Sequence, residues 1–172
     1  MRNRVRKMVL CSLFAALTGV CAWISVPFPP VGFTLQTFGI LLTLGLLGGK
    51  WGTVSIGLYL LLGLAGMPVF AGFRGGATAL LDASGGFLWG FLLGGLGYRM
   101  VQRLGRIPGF VLCQLICYFC GCLWFSLYAG GGIGLILLRC VVPYLIPDGI
   151  KLWLAYALSK RLQKVIKLPS RT

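Results

Sequence analysis

"MRNRVRKMVLCSLFAALTGVCAWISVPF", residues 1–28, admits two readings with opposite consequences. Basic residues followed by an apolar run open a secretory signal peptide, and they also open the first span of a multi-pass membrane protein. The run from Met8 to Val26 is long enough to cross a bilayer by itself, a crossing that takes about 20 residues. Similar runs follow it, so the segment reads as a first helix and not as a leader. Moving outward, hydropathy and turn residues place spans at 8–26, 34–48, 51–66, 86–101, 109–128 and 147–162. The stretch from Ile133 to Tyr144, which carries Arg139 and Pro143, reads as a re-entrant or interfacial piece leading into the last helix.

Composition agrees with this partition. The chain is 58% hydrophobic with a mean hydropathy of +0.94, whereas soluble domains are roughly 45–50% apolar. Six spans use roughly 120 residues and leave only short loops. The expected fold is therefore an all-α integral membrane protein, a compact bundle of six transmembrane helices forming a single membrane domain over residues 1–172.

Sixteen Lys and Arg face two Asp, with no Glu and no His. Read in bulk, such a balance suggests nucleic acid; read by position, it does not. Arg2, Arg4, Arg6, Lys7, Lys50, Arg99, Arg103, Arg106, Lys160, Arg161, Lys164, Lys167 and Arg171 all fall on one side of a six-span topology. The positive-inside rule makes that side cytoplasmic, with both termini on it and lipid headgroups as the partner of the charges. The other side holds Arg74, Arg139 and Lys151 with both acids, Asp82 and Asp148.

The same inventory removes most chemistry. Without His or Glu, the usual zinc, triad and proton-relay sites cannot be assembled. "LGLLGGKW", residues 44–51, imitates a phosphate loop, but Leu44 replaces its first Gly and Trp51 its Ser or Thr. The seven cysteines lie in apolar stretches, and Cys117-x-x-Cys120 has no His or second pair beside it, so they read as small hydrophobes. No enzyme, metal or cofactor is expected, and the chain cannot hydrolyse ATP itself.

Two outer loops stand out. "VPFPPVGFTLQT", residues 26–37, is stiffened by Pro27, Pro29 and Pro30, and its Gln36 opens the second helix; "GMPVFAGFRGGATALLDASGG", residues 66–86, is long for a membrane bundle. Irregular backbone at membrane depth persists only where it is buried in protein or lines a cavity, so a cavity is expected on the outer side. Small residues form two stripes: Gly86, Gly90 and Gly94, and Ser12, Ala15, Ala16 and Gly19. Either stripe lets another helix approach closely, within the chain or in a partner.

The polar feature that matters most is "PYLIPDGIK", residues 143–151. Asp148 and Lys151, three apart, share one helix face and can engage one ligand. An ionisable residue inside a membrane is a functional hypothesis by default. The plainer alternative is that Asp148 caps its own helix while Lys151 snorkels outward.

Taken together, "SLFAAL", "FTLQT", "GMPVFAGFRGG", "GGFLWGF" and "PYLIPDGIK" resemble the BioY family, the biotin-binding S components of energy-coupling factor transporters, through nearly the whole chain. Departures are modest. Ser12 stands where the family's helix-one motif usually has Ala, "DASGGF" stands in place of PTGGY, and Ile-Pro-Asp in place of Pro-Gly-Asp, which shifts the proline next to Asp148.

The resemblance implies a capture subunit of the bacterial-type plasma membrane with no cofactor. It would take biotin from outside and hand it inward on a transmembrane T component driven by two ATPases. It implies ligand contacts from Asp148 and Lys151, a further amide from Gln36, apolar walls from Phe28, Phe33, Phe70 or Phe73, and Arg74 as a second candidate for the ligand carboxylate. It also implies that Ser12, Ala15, Ala16 and Gly19 dock against the T component. An S component for another vitamin, a channel lined by Asp148 and Lys151, and a purely structural subunit are the competing readings.

Overall fold

The computed structural model describes residues 2–27, 32–130 and 133–166. Its helices are α1 (Arg2–Trp23), α2 (Gln36–Leu64), α3 (Ala77–Leu81), α4 (Gly85–Val101), α5 (Arg106–Ala129), α6 (Ile133–Cys140) and α7 (Leu145–Ile166). A two-residue ribbon, β1 (Ser25–Val26) with β2 (Phe33–Thr34), pairs antiparallel between α1 and α2.

The 29 residues of α2 are two helices and not one. At Gly48 the backbone takes φ 75° and ψ 172°, a conformation open almost only to glycine. A Cβ at Gly52 would come within 3.0 Å of the Cα of Leu44, and the Gln36 amide lies 2.9 Å from the Tyr59 hydroxyl. Residues 8 and 23 apart on a straight helix would be separated by roughly 12 and 35 Å. The chain therefore reverses at Gly48 with scarcely a loop, into legs 36–47 and 49–64. The Gln102 side chain locks the turn by accepting the Gly49 amide at 2.8 Å.

This hairpin is the hub of the bundle. Its legs pack against α1, α4 and α7, and Ile40, Leu41, Leu44, Ile56 and Tyr59 are wholly buried. At about 1.5 Å per residue the first leg is roughly 18 Å long, short of the roughly 30 Å hydrocarbon thickness. The space beyond its Gln36 end is where the ligand cavity opens.

Glycine sets the closest helix pair. A Cβ at Gly90 would sit 2.9 Å from the Cα of Cys117, and one at Gly94 2.8 Å from the carbonyl oxygen of Cys113. Gly109 and Gly121 on α5 make room in return for Tyr98 and Phe87 of α4. Of the two readings for the Gly86, Gly90 and Gly94 stripe, internal packing is the one realised. Cys113 and Cys117 are buried at this α4–α5 contact, and Cys122 and Cys140 in a small cluster with Ile136, all as free thiols.

The outside of the bundle is apolar. Leu115, Phe119, Leu123, Trp153 and Leu154 are among many large side chains left uncovered, far more than a water-facing surface carries. Among the described residues α1 and α5 are long and apolar enough to cross a membrane as single helices, and α2 is apolar throughout its 29 residues but enters as a hairpin. With the α2 hairpin counted as two legs, and with α4 and α7, the six-helix membrane bundle is complete. The segment α6, of eight residues, spans roughly 12 Å and turns through a 3-10 stretch at Val142–Tyr144 into α7.

Candidate ligand-binding site

Asp148 and Lys151 sit in the first two turns of α7 and are 7% and 4% exposed. Lys151 points inward: its ammonium donates to Asp148 Oδ1 at 2.7 Å and to the Thr34 carbonyl of β2 at 2.6 Å, and it lies 3.7 Å from the Phe33 ring centroid. These three contacts exclude the snorkelling lysine. Asp148 does not cap the helix either, because its second oxygen, Oδ2, is taken by α5, accepting from Gln114 Nε2 at 2.9 Å and from the Tyr118 hydroxyl at 2.6 Å. A buried ion pair repays its desolvation only with such additional hydrogen bonds.

The pair forms the inner pole of a cavity of about 530 Å³, within the range of small-molecule sites. Gln36 lines it from the start of α2, with its amide nitrogen engaged by Tyr59, whose hydroxyl in turn donates to the Val69 carbonyl at 3.1 Å. Phe70, Phe87, Leu88 and Phe91 supply the apolar wall. At the half-exposed mouth stands Arg74, which donates to Asp82 Oδ2 at 2.5 Å and to the Ser84 hydroxyl at 3.1 Å. The Ala83 amide, with Arg74 after it, holds the Asp82 carboxyl below the usual carboxylate range. Each acid has its own cation, so no carboxylate dyad forms.

Five of the expected ligand residues, Asp148, Lys151, Gln36, Phe70 and Arg74, line this one cavity. Phe33 stands behind Lys151 and stacks on Tyr144 at 6.4 Å, supporting the wall from outside. Phe73 turns away to stack on Trp23 at 5.1 Å, and Phe28 lies outside the described residues. Gln114 and Tyr118 were missed. The amide and the tyrosine four residues on share one face of an apolar helix, a spacing that marks a polar strip without saying whether it faces the cavity or the lipid.

The helix-one stripe needs correction. Ala15 is 1% exposed and belongs to the core, and Gly19 packs on Val69, with 3.4 Å from its Cβ position to the valine Cβ. Ser12 and Ala16 alone face outward. The reason is helical phase: positions 15 and 19 lie on the face that α2 and the 66–76 loop cover, while 12 and 16 lie on the next.

Comparison with known proteins bears directly on this site. Residues 1–168 match the BioY family. The chain belongs to that family. A biotin transporter BioY of Thermotoga maritima is 49% identical over 90 residues, covering 52% of this chain and 53% of that protein. A probable biotin transporter BioY of Pyrococcus horikoshii is 38% identical over 164 residues, covering 93% and 98%. The crystal structure of the S-component for biotin from an ECF-type ABC transporter superposes with a TM-score of 0.86 at 28% identity, over 95% of this chain and 93% of that one. Membership in BioY makes the chain a multi-pass membrane transport protein and not an enzyme. The structural match extends over nearly the whole bundle.

Proposed function

We propose that this chain captures biotin in the α5–α7 cavity as the substrate-binding subunit of an energy-coupling factor importer. The observation that carries the reading is the buried Asp148–Lys151 pair, held by β2 and α5, in a cavity of ligand size. Biotin has a neutral ureido ring, with N–H donors beside a carbonyl, and an anionic tail. The inner pole suits the ring: Asp148 Oδ2 already accepts two bonds, so a ureido N–H is directed to Oδ1, and Lys151 donates to the ureido carbonyl. Gln36 adds its amide oxygen, and Phe70, Phe87 and Phe91 enclose the thioether ring.

The carboxylate belongs at the mouth. Next to Asp148 it would meet a like charge in a dry site, whereas Arg74 is half-exposed and lets the tail keep part of its hydration. In this reading the termini are cytoplasmic, residues 1–172 act as one membrane unit, and the outward Ser12–Ala16 strip meets a T component powered by two ATPases.

Equilibrium binding of labelled biotin to the purified protein, competed with riboflavin and thiamin, tests the ligand. Competition by biotin alone is expected; displacement by either other vitamin at similar concentration overturns the assignment. Biotin methyl ester tests the orientation: Arg74→Gln should abolish the preference for biotin over its ester, while leaving ester binding intact.

A further inference from the structure

The end of the bundle away from the cavity is rich in cations, yet both acidic residues of the chain are committed at the cavity end, Asp82 to Arg74 and Asp148 to Lys151. Twelve residues separate Asp148 from Lys160 along α7, roughly 18 Å, and the same interval separates Tyr118 from Arg106 on α5. At that far end a cleft of about 400 Å³ opens between the start of α5 and the later turns of α7. Leu104, Arg106, Ile107, Pro108, Tyr156 and Lys160 line it.

Its parts are ordered. The Arg106 guanidinium is fixed on one wall by donating to the Ser159 hydroxyl at 3.3 Å and to Gln163 Oε1. Gln163 is itself anchored by donating to the Gly45 carbonyl at 3.0 Å, which ties the wall to the α2 hairpin. Lys160 stands exposed in the α7 lining of the cleft, one turn along from Tyr156. Leu104 and Ile107 are 80% and 47% exposed and continue the cleft into the apolar belt.

Two cations, a phenol and an apolar exit toward the bilayer follow the order of phosphate, glycerol and acyl chain in a phospholipid. Basic pockets between transmembrane helices take anionic headgroups, and arginine meets phosphate oxygens in a directional, charge-assisted way. We propose that this cleft binds the phosphate of an anionic membrane phospholipid, with Arg106 and Lys160 on the headgroup and Leu104 and Ile107 along the first part of a chain. Inorganic phosphate offers the same oxygens without the chain.

The test uses the full-length protein in neutral detergent, titrated with dioctanoyl phosphatidylglycerol, dioctanoyl phosphatidylcholine and inorganic phosphate, with bound lipid counted by native mass spectrometry. Phosphatidylglycerol should bind with clear preference over phosphatidylcholine and resist millimolar phosphate. Lys160→Gln should weaken it about fivefold, and Arg106→Gln at least as much. Lys164→Gln, an exposed cation one turn beyond the cleft, should change it less than about twofold, and biotin binding should be unaltered in all three. Equal losses from Lys160→Gln and Lys164→Gln would mean a diffuse basic face and would overturn the site. Displacement by phosphate would make the occupant a free anion, and equal binding of the two lipids would leave the cleft to an acidic partner segment; either result also rejects the proposal. Because Lys160 is exposed, its replacement keeps the test decisive even if Arg106→Gln fails to fold.

Discussion

Asp148 accepts from Lys151, Gln114 and Tyr118 while nearly excluded from solvent, so its contribution can be apportioned by removing one partner at a time. Truncating one member of a desolvated, hydrogen-bonded charge pair costs about 2–5 kcal/mol, largely because the other charge is left unpaired. Asp148→Asn and Lys151→Met should each weaken biotin binding by roughly thirtyfold or more by isothermal titration, and the double variant should lose less than the sum. Tyr118→Phe keeps the ring and removes one donor to Oδ2. It should cost about 1–3 kcal/mol of binding, with the larger share appearing as lost selectivity for ligands carrying the ureido N–H. Wild-type affinity in all of these variants would reduce the pair to a structural ion pair. The pair itself was legible because acids are so scarce in this sequence that spacing alone singled it out. Gln114 and Tyr118 were not, since nothing local distinguishes an inward amide on an apolar helix from a lipid-facing one until the facing helix is known.

Two glycine devices decide whether these side chains meet. At Gly48 a Cβ has room, its nearest neighbour being Gln102 Oε1 at 3.7 Å, so substitution by Ala acts through the backbone alone. Holding a non-glycine residue at φ 75° and ψ 172° costs about 1–3 kcal/mol, and Gly48→Ala should lower resistance to unfolding in mixed micelles by that amount. At Gly90 the conformation is ordinary helix and the obstacle is steric. Gly90→Leu must push α4 from α5, and it should both destabilise the bundle and weaken biotin binding, because Phe87 and Phe91 on that helix wall the cavity. If Gly90→Leu left both unchanged, the close α4–α5 contact would not be what positions the wall. Helices of this kind are readable from hydropathy and their contact stripes from small-residue spacing. The short elements were not: α3 and the β1–β2 ribbon consist of loop-like sequence that is ordered by covering the cavity, a tertiary effect with no periodicity to reveal it. The same limit explains the helix-one stripe, where a one-position change of phase separates a core face from an exposed one and the sequence alone does not state which face the hairpin covers.

The bundle as a whole separates its tasks along its long axis: a ligand cavity with both acids at one end, cations at the other, and an apolar belt between. A capture subunit of this kind must expose a surface to the subunits that energise it, and that surface must be coupled to the cavity without being part of it. Helix α1 meets both requirements. Its inner face touches the loop that closes the cavity, through Gly19 on Val69 and through the Trp23 indole donating to the Pro68 carbonyl at 2.7 Å. Its outer face presents Ser12 and Ala16, with the Ser12 hydroxyl turned back on the Met8 carbonyl at 3.3 Å, so the strip is flat and its polar group satisfied. A second transmembrane helix can approach such a strip closely, and a bulky side chain there would block it. Ala16→Trp is therefore expected to reduce ATP-driven biotin uptake in cells or proteoliposomes containing the complete importer at least tenfold, while biotin binding to the isolated protein stays within about twofold of the parent. Ala15→Trp is the informative partner: lying in the core against α2, it should damage folding and binding together. If Ala16→Trp transported normally, the energising subunits would have to dock elsewhere on the belt. If it lost binding along with uptake, α1 would be acting on the cavity through its packing and not as a docking face.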